Sequence, residues 1–301
     1  MTRRLLLDAS SLAYRAFFSI PPTVTDGRGR PINAVHGYLD MTGRLLDNRE
    51  PDEIVHTYDD DWKPAPRVAA YAGYKAHRPP DPEGLPEQFD LLREVLDAFG
   101  MTQADAEGWE AEDAIGAMAA RAAPSDRVDI VTGDRDLIQL VQDPVVRVLF
   151  TVKGTSDLRV LDEAGVMARF GVPAARYAEF AMLRGDPSDG LPGVHGVGEK
   201  TARALVEAYP SIEAMLEDAG RDHPRSRPIK GSPSLRAKLR EAREYLAAMR
   251  GVVPIRVDLD ARTWRGTRDD ERLEALGQEY RLSGPIGRLQ RTLDRVDRER
   301  S

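Results

Sequence analysis

Two apolar patterns alternate along the first half of the chain. RRLLLD (3–8), DEIVHTYD (52–59), VDIVTGD (128–134) and VVRVLF (145–150) are short Leu-, Ile- and Val-rich runs of strand length. Between them lie stretches with apolar residues at helical spacing: SLAYRAFF (11–18), AVHGYLDMTGRLLDN (34–48), PEQFDLLREVLDAFG (86–100) and EDAIGAMAARAA (112–123). At least four strands alternating with helices predict an α/β fold with a mainly parallel sheet. Ser10 or Ser11 is the expected cap of the first helix. TVTDGRGRPIN (23–33) and the Pro-rich HRPPDPEGLP (77–86) are loops, the second part of an exposed loop or arch. After about residue 175 the strands stop. AARYAEFAMLRGD, GLPGVHGVGEKTARALVEAYP, SLRAKLREAREYLAAMR, DERLEALGQEYRL and GPIGRLQRTLDRV read as helices, and VVPIRVDLD (252–260) is a candidate late strand.

The polar positions at the ends of these runs carry the chemistry. Nine carboxylates fall in five clusters: Asp8; Asp59, within the run Asp59, Asp60 and Asp61; Glu110, Glu112 and Asp113; Asp134 and Asp136; and Asp186 and Asp189. Ligands of open parallel sheets bind beyond the carboxyl ends of the strands, where Asp8, Asp59 and Asp134 sit. Each of them alone could be a helix cap, but together they point to one site. Acids gathered at one edge repel, and hard oxygen ligands of this kind suit Mg²⁺ or Mn²⁺. Two such ions side by side are the machinery of phosphodiester cleavage. Glu110 and Asp113, three apart, share a helix face, although acids in a first turn also favour the helix dipole. Asp134 and Asp136, two apart on an extended segment, can point to one side. Asp186 and Asp189 sit across a tight loop.

Composition changes the picture in three ways. The chain has 301 residues, 41% hydrophobic and 31% charged, enough for one large domain or one domain with an appendage. It has no cysteine, hence no disulfide, zinc-thiolate or cysteine nucleophile, and no apolar run of membrane-spanning length. MTRRLLLDAS is a first strand and not a signal peptide, so a cytoplasmic, nucleoid-associated protein is expected. The net charge of −7 argues at first against nucleic acid, but bound metal would neutralise much of the acidic cluster. Residues 63–80 hold four basic and no acidic residues, and residues 221–250 hold nine basic and three acidic. Basic runs beside an acidic cluster fit a phosphate track leading to metal, although such runs are more often solvated surface.

Two further segments fit nucleic acid. Gly196 and Gly198 in GVHGVGEKTA permit a turn with exposed backbone. The helix that follows offers free N–H groups to a phosphate, with Lys200 beside them. A plain helix connection is the alternative. YAGYKAHR (71–78) places Tyr74, Lys75 and Arg78 within one helical turn, two cations for a phosphate and a ring for an unpaired base.

AYR, YKAHR, EAED, TGDRDL, GDPSDGLPGV and GVGEKTA, in this order, closely resemble the 5′-nuclease superfamily. The likeness covers roughly residues 4–255 and is strongest to the bacterial 5′→3′ exonuclease and flap-endonuclease domain joined to DNA polymerase I and its stand-alone homologues. It implies a PIN-like core with an arch (1–174, arch about 63–108), a helix-three-turn-helix region for duplex DNA (175–255) and a C-terminal segment (256–301) packing on the core. It further implies that Asp8, Asp59, Glu110 and Glu112 hold or orient a first metal, and that Asp113, Asp134, Asp136, Asp186 and Asp189 serve a second. Lys75 and Arg78 become catalytic arch residues. Tyr14, Arg15, Tyr74, Gly196, Gly198, Lys200 and Thr201 become DNA contacts, and the carbonyls of Val194 and Val197 a seat for K⁺. The expected substrate is DNA with a 5′ flap, overhang or nick, cut by a monomer with a functional link to a DNA polymerase. Three departures from the family pattern stand out: EAED for EADD, DDD for a single Asp, and Gly190 where Asn is usual. A non-catalytic structure-specific DNA-binding protein and a PIN-type ribonuclease are the rival readings. The nine acids argue against the first, and the GVHGVGEKTA module against the second.

Overall fold

The computed structural model describes residues 1–153 and 155–300. Its strands are β1 (Arg3–Asp8), β2 (Glu53–Thr57), β3 (Thr102–Asp105), β4 (Arg127–Thr132), β5 (Val146–Lys153), β6 (Asp157–Leu161) and β7 (Arg262–Arg265). They form one sheet in the order β6-β5-β4-β1-β2-β3-β7. The five central strands are parallel, and the edge strands β6 and β7 run antiparallel to their neighbours. The four apolar runs became β1, β2, β4 and β5. The three additional strands lack such a run: TQAD and RTWR are mostly polar, and β6 is largely exposed. Edge pairing, not burial, selects β6 and β7, whereas β3 is buried between β2 and β7 through Gln103, Ala104 and Asp105. Strands therefore do not stop at residue 175, since β7 closes the edge beside β3. VVPIRVDLD is not a strand. It crosses the core in turns that bury Val252, Val253 and Ile255.

Alternation along the strands divides the core. Leu5, Leu7, Val131 and Leu149 face the helices Ala9–Ser19, Asn33–Arg49 and Leu85–Ala98. Leu6, Val55, Ile130 and Val148 face the helices Ala111–Ala120 and Tyr177–Arg184. Residues one apart thus serve opposite layers. Each buried Leu or Val contributes about 1.5–3 kcal/mol. Leu273, Ile286 and Leu289 of the C-terminal helices Asp270–Glu279 and Ser283–Arg300 join the first layer. Arg288 and Arg295 pair with Asp40 and Asp47 along the helix Asn33–Arg49.

The stretch 234–250, read as one helix, is two, Pro233–Glu241 and Arg243–Met249, meeting at Ala242. Two of its arginines are engaged by backbone carbonyls of the fold. Arg236 and Arg240 donate to the carbonyl of Ala219 at 2.9 and 2.6 Å, at the C-terminus of the helix Ile212–Gly220.

Candidate active site

The parallel strands deliver their carboxylates to one edge. Asp8 ends β1 and itself caps the helix Ala9–Ser19, accepting the Ser11 N–H at 3.0 Å, so the cap is neither serine. Its other oxygen accepts from Thr132 Oγ1 at 2.6 Å, which ties β1 to β4. Asp59 lies just past β2, accepts the Ala111 N–H at 2.7 Å and donates its own N–H to Ser10 Oγ at 3.1 Å. Its two neighbours have other partners: Asp60 pairs with Arg262 and Gly108, and Asp61 holds the Lys63 N–H. Asp59 and Asp60 both line the cavity over the cluster, but Asp60 is taken up by Arg262. The 134–136 segment is not extended. It bends into a short 3₁₀ helix, Asp136–Leu140, with the Asp136 N–H on Asp134 Oδ1 at 2.9 Å. Both acids still reach Glu112: oxygens of Glu112, Asp134 and Asp136 lie within 4.8 Å of one another. Those of Glu110, Glu112 and Asp113 do the same, so Glu112 belongs to both groups. Asp186 caps the 3₁₀ turn Pro187–Asp189, accepting from Ser188. Gly190 follows with φ +72°, a left-handed position that suits asparagine as well as glycine. A Cβ at Gly190 would lie 2.7 Å from the Gly73 carbonyl, so a larger residue would shift the 73–77 turn.

A residue absent from the sequence reading organises the inner part of this edge. Arg67, in the short helix Ala65–Ala70, is 1% exposed. Its guanidinium meets Glu110, Glu112 (2.8 Å) and Asp113 (2.8 Å). Asp113 also accepts the Arg256 N–H at 2.9 Å, and its side chain is fully buried. Glu110 takes in addition the Lys75 ammonium and, at 2.5 Å, the Tyr74 hydroxyl. Tyr74 is thus buried beneath the site and offers no ring to a base, because its hydroxyl is needed by a buried carboxylate. Nor do residues 71–78 form a helix. They make turns, and Lys75 has φ +50°. That turn drives Lys75 inward, where its N–H binds the Asp189 carbonyl at 2.9 Å. Arg78 is half-exposed and reaches Asp189 Oδ1 at 2.6 Å.

The two acidic groups differ in how charge is met. Glu110 and Asp113 have cations in contact. Asp8, Asp59, Asp134 and Asp136 form no ion pair among the described residues. Burial pushes the Asp8 carboxyl up to about 7, against hydrogen bonds from Thr132 and Ser11, with the charges of Asp59 and Asp134 adding to the rise. Burial and the Glu110 charge raise Asp59, and burial with Asp134, Asp189 and Asp186 holds Asp136 well above the carboxylate range. Asp189 stands at about 6, raised by burial and eased by Lys75 and Arg78. Asp8, Asp59, Asp134 and Asp136, hard oxygen donors converging without a cation, fit divalent metal, and Glu112, which also pairs with Arg67, completes the fitting set beside Asp134 and Asp136.

This charge has a consequence for stability. A carboxyl whose folded pKa is raised stabilises the fold when protonated, so the gain is complete below the ordinary value and is lost as pH rises through the folded one. In EDTA the protein should therefore weaken between pH 5 and pH 8, by on the order of 2–3 kcal/mol from Asp8 alone. Mg²⁺ should restore more stability at pH 8 than at pH 5. Chemical denaturation at the two pH values checks this, and a metal-free stability that rises with pH would contradict it.

A cavity of about 780 Å³ opens over Asp8, Asp59, Glu112 and Asp134, walled by Lys75, Arg78, Pro79, Pro80, Pro82 and Phe89. Tyr14 bridges the mouth with a hydroxyl bond to Asp81. An open groove continues past Ser11 and Tyr14 to Arg15 and Phe18. Phe18 is 70% exposed on the same helix, a surface ring that periodicity alone could not distinguish from core.

The second predicted segment lies apart, in the helical region. Val194 and Val197 are buried and anchor the turn, while Gly196, Gly198 and Lys200 are exposed and Thr201 is half-buried. Gly198 begins the helix Glu199–Ala208 with no side-chain cap. Its φ is −88° and nothing lies within 4 Å of where a Cβ would stand, so the fold itself does not require glycine there. The Lys238 ammonium sits against Gly196, 2.4 Å from a hypothetical Cβ.

Fold and site together define a metal-dependent nuclease. Residues 3–171 match the family model for the 5′-3′ exonuclease N-terminal, resolvase-like domain, and residues 172–270 that for the 5′-3′ exonuclease C-terminal SAM fold. The chain belongs to the 5′-3′ exonuclease family. It is 43% identical over 306 residues to a 5′-3′ exonuclease of Streptomyces coelicolor, covering 96% of this chain and 99% of that one. It is 42% identical over 216 residues to DNA polymerase I of Mycobacterium leprae, covering 71% of this chain and 24% of that protein. The bacteriophage T5 D15 flap endonuclease, solved with DNA and metal ions, superposes with a TM-score of 0.63 at 15% identity, over 98% of this chain and 99% of that one, a likeness of fold.

Proposed function

We propose that this nuclease hydrolyses phosphodiester bonds near the 5′ ends of structured DNA, at flaps, overhangs or nicks, with two divalent ions, Mg²⁺ or Mn²⁺. It works as a monomer and in functional connection with a DNA polymerase. The observation that carries the reading is the group Asp8, Asp59 and Asp134, carboxylates without an ion-pair partner among the described residues, facing an open cavity with Lys75 and Arg78 on its wall. Asp8, Asp59, Glu112, Asp134 and Asp136 would hold the ions, with Asp186 and Asp189 beside them. Ions bound there supply Lewis acidity and a nucleophilic water at neutral pH. Glu110 and Asp113 act differently from the simple expectation: with Arg67 they form the rigid floor that positions Glu112. Arg78, half-exposed, is placed to meet a phosphate. Lys75 must exchange Glu110 for phosphate to do the same. Tyr14, Arg15 and Phe18 line the way out for unpaired nucleotides.

Cleavage of a labelled 5′-flap duplex in Mg²⁺ or Mn²⁺, and its absence in EDTA, tests the reading. Binding without cleavage under every metal would favour the non-catalytic alternative, and preference for an RNA strand the ribonuclease.

The glycine turn grips the duplex away from the cut, through helix N–H groups, Lys200 and Thr201, with K⁺ on the carbonyls of Val194 and Val197. Lys200→Ala should weaken binding to flap duplex and flatten its salt dependence by about one phosphate contact. Gly198→Val should be worse, since the space outside Gly198 is free for a phosphate backbone and a side chain would fill it. Cleavage of a short single strand should hardly change in either variant. Equal losses on both substrates would mean that the turn only supports the fold.

A further inference from the structure

We propose that the end of the sheet opposite the carboxylates carries a second anion site, built for a phosphate or diphosphate group. Strands β1, β4 and β5 begin there, and the helix Asn33–Arg49 ends there. Between them lies a cavity of about 190 Å³ lined by Arg3, Arg4, Arg49, Arg127 and Arg147, with Asp129 among them. Arg3 and Arg127 are direct partners in the β1–β4 register, so like charges stand side by side, which destabilises a sheet.

The acids nearby do not cancel this charge. Asp129 holds Arg147 through two hydrogen bonds of 2.9 Å, Glu53 holds Arg4 at 2.6 Å, and Asp52 approaches Arg3 at 3.7 Å. Arg49 and Arg127 form no ion pair among the described residues. Moreover, the Arg49 Nε is buried without a hydrogen-bond partner. Buried donors are nearly always satisfied, and a bound oxyanion would satisfy this one. Guanidinium forks match phosphate oxygens in geometry as well as charge. The size limits the ligand: drug-sized molecules occupy about 300–1,000 Å³, so this cavity takes a phosphate or diphosphate but not a base and sugar as well. The group can come from free phosphate or pyrophosphate, or from the backbone of DNA reaching round the molecule. The site does not depend on the nuclease reading, because it shares no residue with the carboxylate edge.

The test uses the whole protein in EDTA, titrated with pyrophosphate against chloride at constant ionic strength, by calorimetry and thermal melting. One saturable site and a rise in melting temperature are expected. Arg49→Gln combined with Arg127→Gln should weaken binding about tenfold or more, while Lys75→Ala with Arg78→Ala leaves it unchanged. No saturable binding in the wild type overturns the proposal, whatever the fate of the variants. So does binding that is lost with Lys75 and Arg78 instead. Flap-duplex affinity of the glutamine variant identifies the source: a loss with a shallower salt slope assigns the phosphate to DNA, and an unchanged affinity to the free anion.

Discussion

An Asp136→Asn protein should fold, bind flap duplex and fail to cut it. Asp136 lies with Asp134 and Glu112 within 4.8 Å, has no cation of its own and is held well above the carboxylate range by burial and by Asp134, Asp189 and Asp186. Asn replaces a carboxyl that burial and the neighbouring acids already favour in its neutral form, so the metal-free fold should become no weaker and can be assayed under identical conditions. What is lost is a ligand where the reaction needs charge stabilisation. Loss of one such electrostatic contribution costs roughly 10²–10³-fold in rate. Single-turnover cleavage at saturating enzyme measures that loss, and denaturation in EDTA measures the stability. An active Asp136→Asn protein would remove Asp136 from the metal set.

Arg67→Met should have the largest effect on the fold. Arg67 is the common partner of Glu110, Glu112 and Asp113, and the first and third of these are buried. Burial works against its charge, but Glu112 and Asp113 outweigh it and keep the guanidinium protonated. Breaking a buried ion pair from one side costs about 3–5 kcal/mol, because the partner charges stay buried. The loss should shrink at acid pH, where the carboxyls are neutral, and in Mg²⁺, where a cation returns. Urea midpoints at pH 5 and pH 8, with and without metal, distinguish this from a simple packing defect, which would respond to neither. A loss below about 1 kcal/mol, the range of an exposed pair, would refute the role given to Arg67.

The sequence by itself determined four of the five parallel strands and brought the acidic residues to one edge. RRLLLD, EIVHT and VDIVT hold short Leu-, Ile- and Val-rich runs of strand length, which read as buried strands. In a parallel sheet with helical crossovers, Asp8, Asp59 and Asp134 then had to emerge on one side. The order of motifs was enough to indicate the family. Only the tertiary structure decided which carboxylates lack a cation. Arg67 reaches Glu110 and Asp113 across 43 and 46 residues of chain, a pairing that no local period encodes. In the same way, the turn at Lys75 and the buried bond from Tyr74 to Glu110 reversed the outward orientation that helical spacing suggested. Edge strands β6 and β7 were hidden for a related reason: their residues are chosen by a neighbour's unpaired backbone and not by the core, while β3, buried between β2 and β7, was hidden because TQAD is short and mostly polar. The arginines at the far end of the sheet belong to the same class. Arg3, Arg49, Arg127 and Arg147 are scattered in the chain, and only the register of β1, β4 and β5 together with the end of the helix Asn33–Arg49 brings them round one cavity.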